Sequence, residues 1–144
     1  MPTLKCSLEI DAPANEVWRV LTTPELVREW ACAYLDGLSI RTSWKEGDAV
    51  TWKTPDGAIH ARGKVVACRP QTLLKFNYDS GLRAEGRSFS ETFEIEEIDD
   101  KTRLRITTGP LDKAAYNTVK DQAGQAIEEI KSLAEESARI HGLR

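Results

Sequence analysis

The last third of the chain decides most of what it can fold into. Tyr116, Val119, Ala123, Ala126, Ile127, Ile130, Leu133 and Ala134 fall on one side of a 3.6-residue wheel. Lys113, Lys120, Glu128, Glu129, Glu135 and Glu136 fill other parts of it. Asp112, or the preceding Pro110, opens this helix, and Gly142 stops it just past His141. At ~1.5 Å per residue it is roughly 45 Å long, enough to lie across an entire sheet. The pattern offers no second helix of that length.

Most of what precedes it reads as strand. Leu4, Cys6, Leu8 and Ile10 alternate with Lys5, Ser7, Glu9 and Asp11, as a half-buried strand should. Six more strand-like stretches lie near 38–43, 48–54, 58–68, 72–78, 87–98 and 102–109. Turn chemistry separates them at Lys45-Glu46-Gly47-Asp48, Pro55-Asp56-Gly57, Arg69-Pro70 and Asp99-Asp100-Lys101. Such short turns predict an antiparallel meander, since a parallel crossover needs about a dozen residues. The run from Leu82 to Gly86 is the longest irregular piece and is expected to be mobile.

After the first strand, IDAPANEVWRVLTTPELVREW stops and restarts the chain. Pro13 suits a first helical position, Glu16 the first turn, and Val17, Val20 and Leu21 form an apolar stripe. Thr23-Pro24-Glu25 repeats the signal, with Thr23 as hydroxyl cap and Pro24 opening a second short helix. Leu26 and Trp30 share a face of that helix.

The expected class is therefore α+β. A sheet of about seven strands is wider than one helix, roughly 10–12 Å across, so it must curl around the helix. A curled sheet leaves a hollow unless large side chains fill it. Ala123 and Ala126, with Gly124 beside them, either let the helix sit close or leave volume open. The inward parity supplies Val50 and Trp52; Ile59, Ala61, Gly63 and Val65; Leu74, Phe76 and Tyr78; Phe89, Glu91, Phe93 and Ile95; Leu104 and Ile106. A buried Tyr78 hydroxyl or Trp52 indole N–H needs a partner.

Glu91 breaks the inward series, because an unpaired buried carboxylate is costly. Three arrangements answer it. A bulge near Ser90 turns Glu91 to solvent; Arg87, Arg105 or Arg62 pairs with it at the barrel mouth; or it serves as a polar anchor inside a cavity. His60 lies on the polar parity and is expected to be exposed.

The 144 residues suit a single domain, 1–144, and the formal charge of −3 gives no basic field for nucleic acid or anionic lipid. The apolar runs are too short for membrane insertion, and the first ten residues lack a signal-peptide core, so a cytoplasmic location is expected. Cys6, Cys32 and Cys68 form neither a CxxC pair nor a zinc pattern and read as reduced core thiols. With His60 and His141 the only histidines, a His-rich metal site is excluded. No nucleophile elbow, Ser-His-Asp set or Gly-rich phosphate loop is present, so no catalytic residue, metal or cofactor is assigned.

Ile10-x-Ala12-Pro13, then Glu16, Val17-Trp18, Leu21-Thr22 and Pro24-Glu25 up to Trp30, resembles the opening of START-like helix-grip domains, the birch-pollen-allergen-like superfamily. More narrowly it resembles the C-terminal domain of the heat-shock-protein-90 ATPase activators. SWKEGDAVTWKTPDG, Gly63-x-Val65 before Arg69-Pro70, and Phe93-x-Ile95 before Thr102-Arg103-Leu104 extend the likeness over essentially the whole chain. The resemblance implies a helix-grip fold: a curved antiparallel sheet of about seven strands around the long C-terminal helix, with two short helices after strand 1. It places Trp30 where those helices meet the long one. It also implies an interior apolar cavity, which the superfamily uses for lipids, steroids, phenolics or polyketide intermediates. Two departures stand out: the chain starts directly at its first strand, where the cochaperones carry a further domain, and its last helix opens with Asp112-Lys113-Ala114-Ala115-Tyr116 rather than a tryptophan-rich, proline-containing segment.

These readings converge on binding of a small hydrophobic or aromatic molecule, with Trp30, Tyr34, Trp52, Phe76, Tyr78, Glu91, Ala123 and Ile127 as candidate ligand-binding residues. Two alternatives stay open. One is a cyclase- or hydrolase-type enzyme using Glu91 with Tyr78 or His60, and the other is a chaperone-interacting module, which predicts an exposed apolar patch. A homodimer is left open as well.

Overall fold

The computed structural model describes residues 2–81 and 88–142; the segment read as irregular, Leu82 to Gly86, lies outside them. The element order is β1 (Leu4–Ile10), α1 (Ala14–Thr22), α2 (Pro24–Ala31), β2 (Ser39–Thr42), β3 (Ala49–Lys53), β4 (Ile59–Arg69), β5 (Leu73–Gly81), β6 (Phe89–Ile98), β7 (Lys101–Gly109) and α3 (Lys113–Gly142). Among the described residues, seven strands form one sheet in the order β1-β7-β6-β5-β4-β3-β2, and every pair is antiparallel. This is the helix-grip, α+β arrangement read from the sequence.

The break between α1 and α2 has a local chemical cause. In an unbroken helix the Val20 carbonyl would accept from the N–H of residue 24, and Pro24 has none. The indole Nε1–H of Trp30 donates to that carbonyl instead, at 3.0 Å. Trp30 thus closes the end of α1 and sends its ring toward the sheet, not only to the junction with α3. The capping expectation needs correction. Thr23 provides the N-cap backbone of α2 without a side-chain hydrogen bond, while Thr22 Oγ1 donates back to the Trp18 carbonyl at 2.8 Å. Pro13 is the N-cap of α1 rather than its first residue, and the first helical N–H, that of Ala14, is taken by Glu97 Oε1 at 2.5 Å.

Helix α3 starts as anticipated, with Asp112 Oδ1 accepting the Ala115 N–H at 2.7 Å. Its backbone comes closest to β1, α1 and α2. Its far end is held by Glu16, which is buried: Ser137 Oγ donates to Glu16 Oε1 at 3.0 Å, and His141 Nδ1 meets Glu16 Oε2. Arg19 comes within 3.0 Å of His141 Nε2 and 3.3 Å of Ser137 Oγ. Glu16 therefore clamps α1 to α3, a role that its place in a first helical turn does not suggest. Gly124 is not required for clearance, since an added Cβ would meet nothing within 4 Å.

Register shifts curve the sheet. Trp52 faces Ala61 while Lys53 faces Ile59, so His60 is an extra residue in β4. That bulge overturns the expectation of an exposed histidine: His60 is turned inward at 7% exposure, and Ile59, read as inward, is 47% exposed. A second shift leaves Asp79 extra in β5, between Arg62↔Ser80 and Gly63↔Tyr78. Here the strands approach so closely that a Cβ on Gly63 would sit 1.9 Å from the Asn77 carbonyl oxygen.

Candidate functional site

Between α3 and β3–β6 the interior is spanned by rings. Trp30 makes edge contacts with Trp52 and Phe93, each at 6.1 Å between centroids. Phe76 lies 5.9 Å from Tyr78 and 6.3 Å from Phe93, and Tyr78 lies 4.8 Å from Phe89. The Trp52 Nε1–H donates to the Tyr78 hydroxyl at 2.7 Å, which satisfies the indole and fixes two strands' side chains relative to each other. Of the residues singled out from sequence, Trp30, Trp52, Phe76 and Tyr78 are thus brought into one chain of contacts. Ala123 and Ile127 lie on the buried stripe of α3, together with Ala126. Tyr34 is buried where α2 ends, and its carbonyl accepts from Gln122 Nε2 of α3 at 3.1 Å.

Glu91 is inside, at 1% exposure. The register of β6 is continuous through Ser90 and Glu91 on both sides, so the bulge that would have turned it to solvent is absent there. Arg62 and Arg105 are exposed on strand positions of the opposite parity and do not approach it; Arg87 lies outside the described residues. Thr108, directly across on β7, places its Oγ1 3.4 Å from Glu91 Oε2. Burial pushes the Cys6 thiol up from its ordinary range, and the neighbouring Glu91 carboxylate adds to the shift. Glu91, Thr108 and Cys6 therefore form a polar spot on the β1-β7-β6 flank of an otherwise apolar wall.

Two wall rings, Phe89 and Phe93, were visible in the sequence as inward residues flanking Glu91. Trp44 was not: it follows β2 with φ +65°, and its ring tilts onto Phe76 at 6.3 Å. No alternation reports a residue turned by a left-handed backbone. The thiols also differ from expectation, since all are free but Cys32 is exposed and Cys6 and Cys68 are only half-buried.

Chemically, the interior offers stacking surface and a few polar contacts. The Tyr78 hydroxyl is engaged by Trp52. Ser137, His141 and Glu16 resemble a nucleophile set only in composition, because the serine hydroxyl donates to the carboxylate and His141 Nε2 faces Arg19. Among the described residues no group of three or more His, Cys, Asp or Glu is placed to hold a metal ion, and no helix is long and apolar enough to cross a membrane. The exposed large apolar residues Leu35, Ile59, Val66, Ile98 and Ile140 are spread over the α2–β2 link, β4, β6 and α3.

Comparison with solved structures places the fold. Protein MLL2253 from Mesorhizobium loti superposes with a TM-score of 0.78 at 21% identity, over 94% of this chain and 98% of that one. The Aha1 dimer from Colwellia psychrerythraea gives 0.74 at 14% identity, over 94% and 97%. DynU16, from the dynemicin biosynthetic locus, gives 0.76 at 15% identity, over 94% of this chain and 48% of that one. Comparison with curated proteins gives no match. The family model described as Activator of Hsp90 ATPase homolog 1-like protein matches residues 11–135, from the end of β1 to the last turns of α3. The chain belongs to that family.

Proposed function

We propose that the protein binds a small apolar or aromatic molecule between α3 and the aromatic wall of the sheet. The observation that carries this reading is the chain of rings Trp30, Trp52, Tyr78, Phe76 and Phe93, set in one core with the alanine stripe of α3. A helix whose backbone comes closest to β1 and the short helices leaves the distance to β3–β6 to be bridged by side chains alone. Flat rings with smooth apolar faces suit a flat apolar ligand. Glu91 and Thr108 suit a hydroxyl or a cationic group on one edge of it. A structural relative from a biosynthetic locus accords with a small-molecule role. The reading includes a cytoplasmic location, and self-association is supported by the relative solved as a dimer.

The test is titration with anilinonaphthalene sulfonate and a panel of flat apolar compounds, read by intrinsic tryptophan emission. Trp30 and Trp52 line the proposed volume, so saturable binding is expected to shift their emission. Ala123→Leu and Ala126→Leu fill that volume and are expected to weaken binding about tenfold or more while the fold is kept. Unchanged affinity in both variants would remove the interior as the site.

A further inference from the structure

The outer face of the sheet sorts its charge by half. On β1, β7 and β6 the arginines stand opposite acids: Arg103 lies across from Glu9 and Glu96, and Arg105 across from Ser7 and Glu94. On β2, β3 and β4 they do not. There Arg41, Thr51 and Arg62 form one row, Lys53 faces Ser39, and Lys64 faces Ala49. The result is a cationic sector on a chain whose formal charge is −3.

That sector is concave at one place. Arg28 of α2, Arg41 of β2 and Lys53 of β3 line a pocket of about 480 Å³, with Gly37, Ser39, Thr54, Pro55 and Gly57 completing it. The α2–β2 link and the β3–β4 turn are tightly fitted beside it: Gly37 has φ +77°, and a Cβ there would lie 2.4 Å from Pro55 Cγ. Among the described residues, the side chains of Arg28, Arg41 and Lys53 make no hydrogen bond or ion pair. The acids closest in sequence, Glu29, Asp36 and Asp56, do not line the pocket. Asp56 is directed to the Thr54 hydroxyl and the Ala58 N–H, and these hydrogen bonds hold its carboxyl below the usual range.

Three cations from three elements line one concavity with no acid among its lining residues, which favours an anion there. We propose that this pocket binds the phosphate group of a small phosphorylated molecule. Two guanidinium forks and an ammonium match the terminal oxygens of a phosphate, the Ser39 hydroxyl adds a donor, and the volume is that of a small-molecule site. Arg62 and Lys64, further along the same face, draw anions toward it. The site is separate from the interior and does not depend on it.

The probe is inorganic pyrophosphate, followed by amide shifts of the whole chain at low and high salt. Saturable shifts confined to residues 28, 37–41 and 53–57 are expected, weakening as salt rises. Arg41→Ala and Lys53→Ala are each expected to lower affinity about tenfold, and Arg41→Lys by less, because it keeps charge and loses the fork. These residues are on the surface, so unchanged tryptophan emission will verify the fold of each variant. Absence of saturable shifts at millimolar pyrophosphate would overturn the proposal, as would equal affinity in Arg41→Ala. Preference for vesicles containing phosphatidic acid, or for an acidic peptide, over pyrophosphate would overturn it too.

Discussion

Trp30→Ala is expected to lower the unfolding free energy by about 4 kcal/mol, the range found when a buried tryptophan is truncated. Three losses coincide at this residue, which is only 3% exposed. The indole area leaves the core, the edge contacts to Trp52 and Phe93 vanish, and the Val20 carbonyl loses the donor that Pro24 cannot supply. Trp30→Phe separates these terms. It keeps most of the ring and removes the N–H, so about 1–2 kcal/mol is expected for the orphaned carbonyl. Urea unfolding followed by far-ultraviolet circular dichroism measures both. Equal stability of Trp30→Phe and the parent would show that the Trp30–Val20 hydrogen bond does not hold α1 to α2.

Gly63→Ala should be as severe, although it adds a single methyl group. The added Cβ would be 1.9 Å from the Asn77 carbonyl oxygen and 2.7 Å from both Asn77 C and Tyr78 Cα, all backbone atoms that no rotamer change can move. The strands must separate, and Tyr78, paired directly with Gly63, must move away from Trp52. A loss of about 3 kcal/mol or more is expected, beyond ordinary overpacking, together with a change in near-ultraviolet circular dichroism. The control is Gly124→Ala, which meets open space and should not destabilise. A Gly63→Ala protein as stable as the parent would contradict the close approach of β4 and β5.

How much of this was legible follows from what alternation encodes. Period two placed Trp52, Phe76, Tyr78 and Glu91 on the inner face, and the 3.6-residue stripe placed Ala123 and Ile127 there as well. Alternation fails where a residue is inserted. His60 was misplaced because one bulge beside Trp52 exchanges the sides of His60 and Ile59, and nothing in that stretch announces it. Gly63 looked like one more small inward residue; its strict requirement comes from a neighbour fourteen positions away. The bulge arrangement for Glu91 could be removed only by knowing that β6 is paired without interruption on both sides. The cationic sector was hidden for the same reason. Lys53, Arg62 and Lys64 are polar positions on neighbouring strands, and only the register shows that Glu9, Glu94 and Glu96 stand opposite the arginines of the other half of the sheet.

The central claim is that the space between α3 and the aromatic wall receives a ligand. Intermolecular nuclear Overhauser effects from a bound aromatic probe test it most directly. The account predicts contacts to the Ala126 methyl group of α3 and to the Trp52 and Phe93 rings at once, lost together in Ala126→Leu. Contacts confined to exposed side chains such as Ile98 or Ile140, with Ala126→Leu binding unchanged, would contradict it.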